Sequence, residues 1–293
     1  MNALKNRFAE LLAYGSADQG GQAGATNLAE LALLAVEILT LSADPQSAVQ
    51  ASADTDLARR RLGALIADAE RDLAEPGTGH QAGTGAGDEE EDEAEGIKRI
   101  AAALVDYLGG ALHFAGNVED YYNPSNSDLG WVLAKRRGIP ITLALVYITV
   151  GRALGYELRG IGFPGHFLVG VYATREDVQP VQMIDPFRAR LTSRAECMQA
   201  LNQQSTPATQ PTQALQIDES LFVAAAPAAV LLRLLENLKQ IHLRNRAIGP
   251  ALAALELQLL AAPDSFELHS QQAALVSQAF GREPGPGGKP ELH

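Results

Sequence analysis

Pro140, His166 and Asp185 are the positions in this chain whose types and order suggest a reaction site. Pro140 opens the apolar segment IPITLALVYITVGRALG (139–155), His166 heads HFLVGVYA (166–173), and Asp185 ends VQPVQMID (178–185). A helix N-terminus followed by a strand His and a strand Asp is the layout of a Cys–His–Asp site. There the helix dipole and its unsatisfied N–H groups depress a thiol pKa. The His takes the proton and the Asp orients the imidazole. Each residue also has a structural reading. His166 lies in Gly-Phe-Pro-Gly-His-Phe, which suits a packed imidazole, and Asp185 before Pro186 suits a turn at a strand end.

Elements must hold these side chains, and periodicity outlines them. In 139–155, Pro140 suits the first helical turn, where its missing N–H costs nothing, and Gly155 suits the stop. Its nearly uniform apolarity places it in the core. The period then changes: YELRGIGF (156–163), HFLVGVYA and VQPVQMID alternate and carry β-formers, which predicts three short strands. Helices flank them. In NLAELALLAVEILTL (27–41), Asn27 stands three residues before Glu30, a capping-box spacing. DLARRRLGALIADAERDL (56–73) is amphipathic, and IKRIAAALVDYLGGALHF (97–114) is weakened at Gly109–Gly110. YYNPSNSD (121–128) reads as loop and helix start, and LGWVLAKRR (129–137) stops at Gly138. Ser193 with Glu196 opens another helix, and 221–245, 250–262 and 265–280 are helical. This order is α+β rather than a doubly wound sheet.

Composition narrows the function classes. A chain of 293 residues and 31.1 kDa holds one large domain or a main domain with a small one. Its charge of −12 opposes general affinity for nucleic acid or anionic membrane. The single cysteine, Cys197, excludes an internal disulfide framework and a Cys-rich zinc site. No apolar run reaches the roughly 18 residues of a membrane span. The amphipathic start MNALKNRFAELLAYG lacks a signal peptide's apolar stretch, so a cytoplasmic globular protein is expected. There is no P-loop, dinucleotide fingerprint, zinc-helix motif or EF-hand loop, so no cofactor or metal is expected. Stretches 16–25, 44–56 and 203–214 are small and polar and read as loose. Residues 75–96 combine glycine with an acidic block, Asp88–Glu95, in which seven of eight residues are acidic; they read as a disordered linker.

The run NSDLGWVLAKRRGIPITLALVYITVGRALGYELRGIGFPGHFLVGV (126–171), followed by IDPF (184–187), resembles the transglutaminase-like superfamily. It is most similar to a bacterial branch with a tetratricopeptide-like tail, whose members carry the name of invasion-gene regulators. The resemblance implies a papain-like core with a helical N-terminal layer. Active members open the central helix with Gly-x-Cys-x-x-x-Ala; here Gly138 and Ala144 match, and Pro140 holds the nucleophile position. His166 and Asp185 fall on the family's catalytic His and Asp. Base and orienter match, while proline cannot attack a carbonyl.

Nothing else supplies the nucleophile by position. Cys197 follows both His166 and Asp185 and reads as a structural thiol; Thr142 is β-branched and turned toward core or backbone; Ser127 reads as a helix cap. His113, Tyr121 and Tyr122 read as packing. Residues 230–281 resemble one and a half tetratricopeptide units, with Leu238, Leu243, Ala251, Leu255 and Pro263 at typical positions. The expected organisation is a transglutaminase-like domain over 1–202, a tetratricopeptide-like segment over 215–281 and a loose tail over 282–293. The expected function is a non-catalytic protein-interaction or regulatory module, binding another protein or a peptide rather than nucleic acid or membrane. The alternative is a hydrolase or transferase acting on amide bonds through His166 and Asp185.

Overall fold

The computed structural model describes residues 1–17, 23–73, 88–204 and 218–280. Helices α1 (Asn2–Ala17), α2 (Ala23–Ala43) and α3 (Ala48–Asp72) open the chain. Two expectations shift here. α2 begins at Ala23, so Asn27 lies inside the helix instead of capping it. Most of the polar 44–56 stretch is the start of α3, where Ala51 and Thr55 are buried; its alanines favour helix, and tertiary contact supplies the rest. α4 (Asp88–Leu104) contains the acidic block in its first turns instead of leaving it in a linker. Acidic residues suit the positive end of a helix dipole. The remainder of the expected linker, residues 75–87, lies outside the described residues, as do the tail 282–293 and most of the 203–214 loop.

At the Gly109–Gly110 pair, α4 widens into a π-helical turn, Val105–Ala111. The two-residue strand β1 (Ala115–Gly116) follows and pairs in parallel with β2 (Arg137–Gly138). Between them lie a 3₁₀ turn, Pro124–Ser127, and α5 (Leu129–Lys135), which ends on left-handed Arg136 at φ 60°. α6 (Pro140–Ala153) is the central helix; every residue from Pro140 to Gly151 is buried, and Gly155, at φ +88°, turns the chain out of it.

Four antiparallel strands then form one sheet in sequence order: β3 (Glu157–Ile161), β4 (Leu168–Tyr172), β5 (Gln182–Asp185) and β6 (Arg190–Thr192). The sequence indicates three strands; β6 is only three residues long and begins on arginine, too short to show alternation. β4 is buried along its whole length because its two faces serve two cores. Val169 and Val171 join Leu158, Ile184 and α6 in the main core, while Leu168 joins Ile161, Phe163, Met183, Cys197, Met198 and Phe222 in a second.

The chain finishes with α7 (Arg194–Gln204), a 3₁₀ turn at Glu219–Phe222, and helices α8 (Pro227–Arg244), α9 (Ile248–Ala261) and α10 (Phe266–Phe280). The helix read from 221 therefore starts at Pro227, a residue suited to a first turn. Ser193 and Glu196 open α7 by exchanging bonds, Ser193 N to Glu196 Oε2 at 2.8 Å and Glu196 N to Ser193 Oγ at 3.2 Å. α9 packs on α2, and Leu234, Leu235, Ala254 and Leu257 share the main core with Leu31 and Leu34. The architecture is α+β.

Candidate functional site

Three elements deliver the three residues. α6 carries Pro140 in its first turn, and Ile139 N donates to Thr142 Oγ1 at 3.2 Å. A tight turn, closed by His166 N on Phe163 O at 3.0 Å with Gly165 at φ +69°, sets His166 just ahead of β4. β5 ends on Asp185.

The structure brings His166 and Asp185 together. Nε2 lies 2.9 Å from Oδ1, with the imidazole side chain 19% exposed and the carboxylate 2%. The two atoms approach closely without meeting full hydrogen-bond geometry. Asp185 is also a turn residue. Its Oδ1 accepts the N–H groups of Phe187 and Arg188 at 3.1 and 3.0 Å, and its Oδ2 accepts from Arg188 Nη1 at 2.9 Å. Burial pushes the carboxyl pKa up, but His166 and then Arg188 outweigh it and hold the group below the ordinary carboxylate range.

The surrounding motif residues fix this pair. The Phe187 ring meets His166 edge-on at 6.2 Å and Tyr121 at 5.8 Å. It lies over β1 so closely that a Cβ on Gly116 would sit 2.4 Å from it. Asn126 ties the preceding loop to α6. Its amide donates to the carbonyls of Asp120 and Tyr121 at 2.8 and 3.0 Å, and its own carbonyl accepts from Thr142 Oγ1 at 2.8 Å.

The other sequence candidates separate. Thr142 is fully buried and its hydroxyl is committed to Asn126. Cys197 is buried in the second core, 3.6 Å from Thr192 Oγ1, and burial pushes its thiol pKa up. His113 takes a left-handed φ of 60°, and its carbonyl accepts from Arg137. Ser127 does not cap α5. Asp128 does, accepting Gly130 N at 2.8 Å and Trp131 N at 3.3 Å. The charged acceptor one residue nearer the helix wins the position. Ser127 is instead buried at the wall of a cleft.

That cleft is an opening of about 280 Å³ beside Pro140 and His166. One wall carries Tyr121 and Tyr122, which are 43% and 79% exposed. The opposite wall is one face of α8: Arg233, Asn237, Gln240, Ile241 and Arg244, at helical spacing. Arg233 Nη2 donates to the His166 carbonyl at 2.9 Å and its guanidinium lies 5.2 Å from the centre of the Phe167 ring. Burial pulls the Arg233 pKa down. Sequence reasoning missed this wall, although the polar stripe of α8 was readable; what it faced was not. It also missed Tyr147, two turns after Pro140, whose hydroxyl is buried without a partner among the described residues. Burial, reinforced by the charge of Asp185, raises its pKa.

A larger cavity, about 460 Å³, lies at the other end of α6 around Arg152, Tyr156 and Glu157, where Arg152 and Glu157 pair at 2.8 Å. It is remote from the His–Asp pair. Among the described residues no cluster of three or more His, Cys, Asp or Glu is placed to hold a metal ion, and no helix is long and apolar enough to cross a membrane.

Comparison with known proteins identifies the family of the chain. The family model described as the transglutaminase-like superfamily matches residues 57–236, which include Pro140, His166, Asp185 and Arg233. A UPF0162 protein of Xylella fastidiosa (strain Temecula1) is 34% identical over 144 residues, 48% of this chain and 48% of its own. A UPF0162 protein of Pseudomonas aeruginosa is 34% identical over 133 residues, 45% of this chain and 44% of its own. F-box only protein 21 of Mus musculus is 31% identical over 191 residues, 62% of this chain and 28% of its own. The matched region thus spans about half the length of the bacterial relatives and just over a quarter of the mouse protein. No solved structure matches the chain. The chain belongs to the transglutaminase-like superfamily.

Proposed function

We propose that this member of the transglutaminase-like superfamily is a protein-interaction or regulatory module that binds a peptide segment in the cleft and does not transfer acyl groups. The carrying observation is the cleft itself. The His–Asp pair stands at 2.9 Å, the space beside it is open, and the helix position that would present a thiol holds Pro140. Proline offers neither a nucleophile nor a backbone N–H for an oxyanion. The helices α8–α10, read as tetratricopeptide-like, support the same reading, since α8 builds one wall of the cleft. The mouse relative places the matched region inside a much longer chain, as suits a module.

The test is a search of the intact protein against a peptide library, with binding and peptide integrity read together. Saturable binding, weakened by Tyr122→Ala and leaving the peptide unchanged, is expected. Turnover of any peptide would overturn the reading.

One observation favours the alternative, an amide-bond hydrolase or transferase. Ser127 lines the same cleft as His166. Labelling of the protein by a fluorophosphonate, lost in both Ser127→Ala and His166→Ala, would establish a serine nucleophile and displace the binding reading.

A further inference from the structure

We infer that the cleft selects acidic peptide segments, with Arg233 and Arg244 receiving their carboxylates; this rests on the peptide-binding reading and specifies its ligand. The α8 wall presents two guanidiniums to the opening, and none of the described residues lining it is Asp or Glu. Arg233 is partly buried and meets a backbone carbonyl and an aromatic ring, with no carboxylate paired to it among the described residues. Arg244 is exposed and forms no ion pair among the described residues. Guanidinium groups recognise carboxylates through paired N–H donors. Asn237 lies on the same face and offers the donor and acceptor pair that a peptide backbone needs, while the Gln240 amide beside it donates to Glu236 Oε1 at 2.8 Å, a carboxylate that also pairs with Lys239. Tyr121 and Tyr122 supply rigid, amphipathic area on the facing wall.

The chain as a whole is acidic, at −12, yet this does not oppose the assignment. The acidic block 88–95 opens α4, and Glu93 lines the cavity at the far end of α6. A 14-residue helix separates the two ends, about 20 Å at the usual rise. That is beyond the screening length of about 8 Å at physiological ionic strength. A short peptide with a few carboxylates stays within the cationic wall. A nucleic-acid strand carries phosphates onward onto the acidic surface, which disfavours it.

The test titrates three fluorescent peptides of equal length into the full chain: a Glu–Ala, a Gln–Ala and a Lys–Ala peptide, with a short single-stranded DNA as a further polyanion. The Glu–Ala peptide should bind tightest, weaken steadily with added salt, and lose about threefold to tenfold in affinity on Arg244→Glu, which reverses an exposed charged contact. Arg244 is exposed, so this variant retains the fold, which circular dichroism checks. Equal binding of the Gln–Ala peptide, unaffected by Arg244→Glu, would overturn the acidic preference and leave the peptide-binding reading standing. Tighter binding of the DNA would overturn the peptide assignment in favour of a phosphate ligand. Failure of every probe to bind would overturn both readings.

Discussion

At the scale of the residue, Asp185 carries more of the structure than His166. Its carboxylate accepts two backbone N–H groups and the Arg188 guanidinium besides facing the imidazole. His166→Ala leaves that carboxylate with three partners and should cost about 1 kcal/mol. Asp185→Ala strips the Pro186–Arg188 turn of its acceptor and should cost about 2–3 kcal/mol. The double variant should lose less than the sum. Chemical denaturation of the three variants measures this; equal losses for the two single variants would contradict the ranking. The pH dependence has a definite sign. The folded Asp185 pKa lies below its unfolded value of about 3.9. Its contribution is therefore present above that unfolded value and lost as pH falls through the folded one. Asp185→Asn should flatten this acid limb of the stability profile and leave neutral-pH behaviour without that slope. The order Pro140, His166, Asp185, together with the resemblance to the transglutaminase-like superfamily, made the pair legible in the sequence. Arg233 was not legible, because its contact with His166 spans 67 positions and exists only once α8 docks.

At the scale of the element, α6 and its surroundings show what patterns can and cannot reveal. The central helix and strands β3 to β5 stood out because a long apolar run and then alternation are strong signals. β6 and the early start of α4 did not: three residues carry no period, and an acidic run reads as solvated until a helix fixes it. Two elements are open to direct test. Gly116 lets the Phe187 ring lie flat over β1, so Gly116→Ala should force the ring away from His166 and cost about 1–3 kcal/mol, as overpacking does. Thermal unfolding checks this, and an unchanged midpoint would mean the ring yields freely. Pro140→Cys places a thiol in the first turn of α6, in the cleft that holds His166. Its pKa should fall below the reference of about 8.5. Alkylation rate against pH reads it; a normal or raised value would mean that the helix end and imidazole do not act on that position.

At the scale of the whole molecule, α8 and α9 belong to the same core as the N-terminal helices. Leu234, Leu235, Ala254 and Leu257 pack in one cluster with Leu31, Leu34 and α6. The sequence suggested a separate segment because the polar 203–214 stretch divides the chain; the apolar faces of α8 and α9 gave no indication of what they would cover. A chain ending at residue 226 should expose those partners and unfold at a markedly lower temperature than the full chain, without a sharp transition, since each buried leucine contributes about 1.5–3 kcal/mol. A truncated protein with an unchanged sharp transition would show instead that the first part folds alone. In the proposed function the cleft beside His166 holds a peptide without reacting with it. The most direct measurement is mass spectrometry of a saturating peptide incubated with the intact protein, alongside its binding isotherm. Saturable binding with the peptide recovered at its original mass, and no adduct on the protein, is the predicted result. A cleaved or transferred peptide, or a covalent adduct lost in His166→Ala, would contradict it.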